Sequence, residues 1–230
     1  MLEETAYSPD EHIPKHTPLG LGAEKLSENK DFLPMVRVNN VVEWTDEEVS
    51  FPFQFKTGES SPLGMFLSPK PEDEPTFGLE VEPDHGRSGV IARVIFKDKE
   101  GRIYRDVDLK GMGYFSYPED GKPPIVDKVA ITSPIRGRVE GIQPINKALY
   151  DLRRNKLFLD LGIRTQRILA LIRLKEIIDE NGNPISIADA RRKKIINALD
   201  EDEPVVTVRA YGTRSRISEI SKKPTEINMK

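Results

Sequence analysis

The stretch YRDVDLKGMGYFSYPEDG, residues 104–121, sets the terms for the rest of the chain. Its first half, within IYRDVDLK (103–110), alternates apolar and polar side chains, the signature of a strand with one buried face. The run ends on Lys110, and Gly111 and Gly113 follow at once. Glycine tolerates backbone conformations that side chains forbid and lets the backbone approach a ligand closely. A lysine ammonium is a mobile point charge suited to phosphate. A strand that delivers a lysine into a glycine pair is therefore a candidate anion site.

Working outward, VIARVIF (90–96) precedes this strand and KDKEGR lies between, so the two runs read as a hairpin around Gly101. Just before it, DHGRSG (84–89) flanks Arg87 with Gly86 and Gly89, and the exposed amides of such a turn can hold an anion. Further upstream MVRVNNVVEW (35–44), SFPFQF (50–55) and GMFL (64–67) read as short strands separated by proline-rich breaks. Downstream, Pro144 to Leu161 carries leucines at roughly helical spacing, with Gly162 placed as a C-terminal cap. RILALIRL (167–174) is short and apolar enough to be either helix or buried strand. Asn181-Gly182 marks a turn, Ser186 caps a helix expected to run to about Leu199, and PVVTVRAYG (204–212) reads as a strand. The pattern predicts an α+β fold. Residues 1–34 read as an extended or disordered arm, 35–83 as a β-rich region, 84–220 as one lobe and 221–230 as a tail.

Composition narrows the chemistry. The 230 residues contain no cysteine, which removes disulfides, thiolate nucleophiles and cysteine-ligated metals, and points to a reducing cytoplasm. Three histidines, at 12, 16 and 85, are too few and too dispersed for a His-rich zinc site. No apolar run reaches the roughly 18 residues of a spanning helix, so no membrane role is expected. The net charge of −3 hides an asymmetry: residues 1–100 carry 10 Lys/Arg against 20 Asp/Glu, and the remainder 25 against 18. The positive second half could face the phosphates of a nucleotide, or simply be a solvated basic surface.

From about Asp84 to Ile217 the chain resembles the nucleotide-binding lobe of the selenoprotein O family. The resemblance rests on Gly86-Arg87, LKGMG (109–113), Asp120-Gly121, LGIRTQRILAL (161–171) and VRAYGTRSRI (208–217), where Arg209 and Arg216 stand seven apart. Members of that family are pseudokinases with a kinase-like fold that transfer AMP from ATP to protein hydroxyls. The resemblance implies a kinase-like small lobe: an antiparallel sheet, one packed helix and a helical insertion, preceded by the β-rich region. It implies that Lys110 pairs with the triphosphate, and that Gly86, Arg87, Asp120 and Gly121 line its site. It also implies that Arg209 and Arg216 reach phosphate from the facing strand, and that Asp151 holds Lys110 as the kinase glutamate holds its lysine.

ATP and Mg²⁺ are implied by the same resemblance, as is a protein substrate or a completing catalytic lobe. No catalytic aspartate or Asp-x-Gly metal site follows the last strand within this sequence, so the expectation is nucleotide contact without turnover. The competing reading is a non-catalytic interaction domain whose basic half binds a partner protein or nucleic acid. Nucleic acid ranks low because aromatic residues are sparse in that half and no recognised motif is present.

Overall fold

The structure, a computed structural model, describes residues 32–49, 55–70, 77–80, 88–116, 126, 131–132, 139–196 and 203–212. Its strands are β1 (Phe32–Arg37), β2 (Asn40–Thr45), β3 (Met65–Leu67), β4 (Phe77–Glu80), β5 (Ser88–Lys97), β6 (Ile103–Lys110), β7 (Ile131–Thr132) and β8 (Val139–Glu140). The helix α1 (Ile145–Asp160) follows, then β9 (Arg167–Leu174), β10 (Glu176–Ile178), β11 (Pro184–Ser186), α2 (Ile187–Arg192) and β12 (Val205–Tyr211). Eight strands form one sheet in the order β2-β9-β12-β6-β5-β4-β1-β3, and β10-β11 and β7-β8 are separate two-stranded ribbons. The fold is α+β, and every pairing among the described strands is antiparallel.

Strand order forces this sheet to curl. β1 and β2 are the seventh and first strands, which in a flat sheet would lie about 29 Å apart at the usual strand spacing. Yet Arg37 and Asn40 are consecutive strand ends, and three residues of chain reach about 10 Å. The two ends of the sheet must therefore come together. Buried Asn40 clasps the join: its Nδ2 donates to the Val38 carbonyl at 2.8 Å and the Ser61 carbonyl at 3.1 Å, and its Oδ1 accepts from the Ser61 amide at 2.9 Å. Inside the curl lies the main core, with Met35, Leu63, Met65, Phe66, Leu67, Val107, Leu109, Ile172, Val206 and Val208 all buried. The run 35–44 is thus two strands placed at opposite ends of the sheet order, not one. Strands of the 35–83 and 84–220 segments share this single sheet, and the last residues of the expected arm, Phe32 to Pro34, begin β1.

Strand alternation then defines an outer face. In β12, Val206, Val208 and Ala210 enter the main core, while Val205 joins a smaller cluster with Ala148, Ile168 and Leu171 beneath α1. RILALIRL resolves as strand β9, buried on both faces because α1 covers what the main core does not. Pro144 stands at the cap position of α1, one residue before the helix. The helix ends in a Schellman motif: the Ile163 amide donates to the Phe158 carbonyl and the Gly162 amide to the Leu159 carbonyl, with Gly162 at φ +73°. The β5–β6 and β10–β11 turns are built alike. Asp98 accepts from the amides of Glu100 and Arg102, and Asp179 from those of Asn181 and Asn183.

Asp98 is also the hub of a buried ionic network. Arg102 Nε lies 2.6 Å from its Oδ2 and Arg167 Nη1 2.9 Å, while Arg167 also donates to Asp46 at 2.6 Å and Glu48 at 2.9 Å. Arg102 Nη1 reaches the Leu159 carbonyl, so one network fastens the β5–β6 turn to the end of α1 and the end of β2. Burial works to raise the Asp98 carboxyl, but the hydrogen bonds and charges of Arg102, joined by Arg167, hold it below the usual aspartate range.

One expected helix is shorter than its sequence suggests. Ser186 caps α2 by accepting from the Asp189 amide at 3.1 Å, but the helix stops at Arg192 and not near Leu199. Lys194 takes a left-handed conformation at φ +59°, and the Ile195 amide turns back to the Ala190 carbonyl. This reversal lets Ile195 and Ile196 both reach the core, which a continuing helix would not allow. Residues 1–31, 50–54 of SFPFQF and the tail lie outside the described residues.

Two outcomes are expected. Lys194→Gly relieves the left-handed strain and should stabilise the protein by about 0.5–1 kcal/mol, measured by urea unfolding. Asp98→Asn should cost about 3 kcal/mol near neutral pH, because it leaves Arg167 and Arg102 short of a buried carboxylate. The same substitution should flatten the acid limb of the stability curve. A carboxyl held below its unfolded value of 3.8 contributes stability above that pH, and this is lost as pH falls through the folded value.

Candidate functional site

Lys110 is the last residue of β6, paired across the sheet with Thr207 of β12 on one side and Ser88 of β5 on the other. Asp108 and Lys110 share the outer face of β6 by alternation, as Thr207 and Arg209 do on β12. All four lie on the side covered by α1, and each must find a partner there.

Asp151, in the second turn of α1, meets Lys110 with its Oδ2 at 3.2 Å from Nζ. The other oxygen, Oδ1, stands 3.3 Å from Nζ of Lys147, four residues earlier on the same helix. Gln143, just before the helix, donates from Nε2 to Asp151 Oδ2 at 3.5 Å and accepts from Thr207 Oγ1 at 2.8 Å. Arg209 is buried, and its fork grips Asp108 at both oxygens: Nε to Oδ1 at 2.9 Å and Nη2 to Oδ2 at 2.7 Å. Its remaining Nη1 reaches Gln166 at 3.3 Å, and its guanidinium lies over the Tyr211 ring, 5.4 Å from the centroid.

Three cations, Lys110, Lys147 and Arg209, thus meet two carboxylates, Asp108 and Asp151. The imbalance is felt at Lys110. Burial, and then the nearby Arg209 charge, push its ammonium below the usual lysine range; Asp151 opposes this and Lys147 reinforces it. The Lys110 side chain keeps 32% of its surface open, against 17% for Asp151. An anion arriving there would relieve the repulsion among the three cations.

The glycines after the lysine answer to protein neighbours. Gly111 sits at φ +91°, and a Cβ there would lie 2.6 Å from the Val205 carbonyl oxygen and 2.8 Å from Gln143 Cβ. Gly113, at φ +119°, would press on Leu67 at 3.1 Å. The chain leaves β6 here to bridge Met112 with Ile142, and the Gly113 amide donates to the Gly141 carbonyl. The sequence leads one to expect a ligand close to these glycines; the groups the structure shows close to them belong to the protein.

Of the residues singled out in the sequence, Lys110, Asp151 and Arg209 gather beneath α1. Gly86, Arg87, Asp120, Gly121 and Arg216 lie outside the described residues. Gln143, Lys147, Thr207 and Asp108 join the site without having been anticipated. Asp108 and Lys147 carried a local signal, standing two residues before Lys110 and four before Asp151. Gln143 and Thr207 carried none, since their contact spans 64 residues of chain. Among the described residues no three His, Asp or Glu side chains converge as metal ligands would. No helix among them is long and apolar enough to cross a membrane.

Searches for relatives return no matching protein-family model and no matching curated protein.

The close packing at Gly111 generates a paired prediction. Gly111→Ala should cost about 2–4 kcal/mol, combining a positive φ with a backbone clash. Gly101→Ala, at φ +77° but with nothing within 4 Å of the added Cβ, should cost only about 1–2 kcal/mol from backbone strain. Chemical denaturation of the two variants side by side measures the difference.

Proposed function

We propose that residues 84–220 act as the ATP-binding lobe of a kinase-like protein adenylyltransferase, a lobe that holds the nucleotide while AMP is transferred to a protein hydroxyl. The observation that carries this reading is the 3.2 Å contact between Lys110, at the end of β6, and Asp151, on the helix that packs over the neighbouring strands β9 and β12. A lysine held this way by a helix carboxylate is the arrangement that positions an ammonium against nucleotide phosphates in kinases. Asp151 is one methylene shorter than glutamate, and Gln143 supports it from below.

In this reading Lys110 contacts the triphosphate directly and Asp151 holds its Nζ in place. Lys147 adds a second ammonium at the helix start. Arg209 contributes chiefly as a fixed positive charge, because Asp108 occupies one edge of its guanidinium. Gly86, Arg87, Asp120, Gly121 and Arg216 complete the phosphate surroundings by the resemblance alone. Mg²⁺ would arrive with the ATP phosphates. No cluster among the described residues fits it as a protein site. The described residues bind and orient; none of them is placed as a base for the transfer.

The competing reading, an interaction domain without nucleotide, draws on the same pairs: Asp108 and Asp151 already neutralise two of the three cations. A thermal-shift titration with ATP and magnesium separates the two. Nucleotide at 100 times its Kd stabilises by about 2.7 kcal/mol, a rise of several degrees for a domain of this size. Lys110→Ala should abolish the rise and still fold, since Asp151 keeps Lys147 as a partner. A wild-type melting temperature that ignores ATP would sink the nucleotide reading.

A further inference from the structure

Gln143 is a neutral side chain set between Asp151 and Thr207, and its surroundings specify how its amide must point. Asp151 is a carboxylate and can only accept, so the group that faces it must be the amide nitrogen. The amide oxygen then turns to Thr207, whose hydroxyl donates to it at 2.8 Å. The Gln143 backbone is held as well, because its carbonyl accepts from the Val205 amide at 2.9 Å. Gln143 is buried, with 4% of its surface exposed, and its Cβ occupies the space that a side chain at residue 111 would fill. Thr207 lies directly opposite Lys110 in the sheet register.

These contacts form a closed circuit: Lys110 to Asp151, Asp151 to Gln143, Gln143 to Thr207, and Thr207 back across the sheet to Lys110. We propose that Gln143, oriented by Thr207, is a positioning residue that turns Asp151 toward Lys110, and that Gly111 is glycine in order to admit it. The alternative partner of Asp151 is close by. Lys147 already holds Oδ1 at 3.3 Å from an exposed position, and without the amide beneath it Asp151 is free to rotate toward Lys147 and solvent. The Gln143 amide lies against Oδ2, the oxygen that faces Lys110. As a role in nucleotide binding this inference rests on the reading proposed above. The positioning itself does not, because it is defined without nucleotide.

The test reads the titration of Lys110 in the nucleotide-free protein, from the NMR signal of its ¹³C-dimethylated amine assigned by its absence in Lys110→Arg. The charged groups acting on that amine are Asp151 and Lys147 from α1 and Arg209 from β12; Asp108, two residues back on its own strand, is held by Arg209. Asp151 favours its protonated form, while burial, Arg209 and Lys147 oppose it. Asp151→Asn should therefore lower the Lys110 midpoint. Gln143→Leu should lower it in the same direction, and so should Thr207→Val, which keeps the shape of threonine and removes only the hydroxyl. Thr207→Ser should restore the wild-type midpoint.

Thr207→Val also guards against a Gln143→Leu variant that fails to fold. An unchanged midpoint in both Gln143→Leu and Thr207→Val, with Asp151→Asn shifted, would reduce Gln143 to a packing residue and overturn the proposal. An unchanged midpoint in Asp151→Asn would overturn it at the pair itself. Thermal shifts with ATP on the same variants keep the two questions apart: a Lys110 midpoint that moves as expected while wild type ignores ATP supports the positioning role and removes the nucleotide.

Discussion

The two-residue link between β1 and β2 is the constraint on which this architecture turns. Strands that adjoin in sequence lie at positions seven and one of the sheet, and so short a connection leaves curling as the only solution. Once curled, the sheet has an inside that must be filled and an outside that need not be. The inside takes the large aliphatic and aromatic residues of β1, β3, β6, β9 and β12. Among the described residues the outside is covered by one long helix, and α1 rests there on a small apolar cluster. That division gives the outer face room for polar side chains near the core.

Alternation does the rest. The period that sends Val206, Val208 and Ala210 inward sends Thr207 and Arg209 under the helix, and in β6 it sends Asp108 and Lys110 to meet them. Arg209 and Asp108 are directly opposite in register, so the partner that a buried guanidinium requires is supplied by strand pairing itself. Buried ion pairs gain little over well-packed apolar residues, since desolvation offsets most of their attraction. Stability alone therefore gives no reason for a face that gathers three cations around two carboxylates. The contrast with Asp98 is instructive: there the carboxylate ties a turn, a helix end and a strand end together, and its structural use is evident.

Much of this was legible in the sequence where the determinants are local. The alternating run 103–110, the turns at Gly101 and Asn181-Gly182, and the Gly162 cap of α1 each follow from residues within one or two turns of chain. What was not legible depends on distant contacts. The ambiguity of RILALIRL was settled by being covered on both sides, which no window of eight residues can reveal. The split of 35–44 followed from the closure of the sheet, and the early end of α2 from the pull of Ile195 and Ile196 toward a core built elsewhere in the chain. In the site, the Lys110–Asp151 contact was reachable by resemblance, whereas Gln143 and Thr207 meet across strands with nothing in their own neighbourhoods to announce it.

The lysine and the glycine of LKGMG thus have separable reasons. Gly111 is required by Val205 and Gln143, which come too close for any side chain, and the positive φ there swings the chain off the strand. That exit ends β6 at Lys110 and places its ammonium beside the second turn of α1 rather than over another residue of the same strand. A longer strand would carry the chain across the space that Gln143 fills and separate Asp151 from its support. The geometry that terminates the strand is therefore the same geometry that builds the lysine's surroundings, and the position of the Lys110 ammonium is a consequence of where the backbone is compelled to turn.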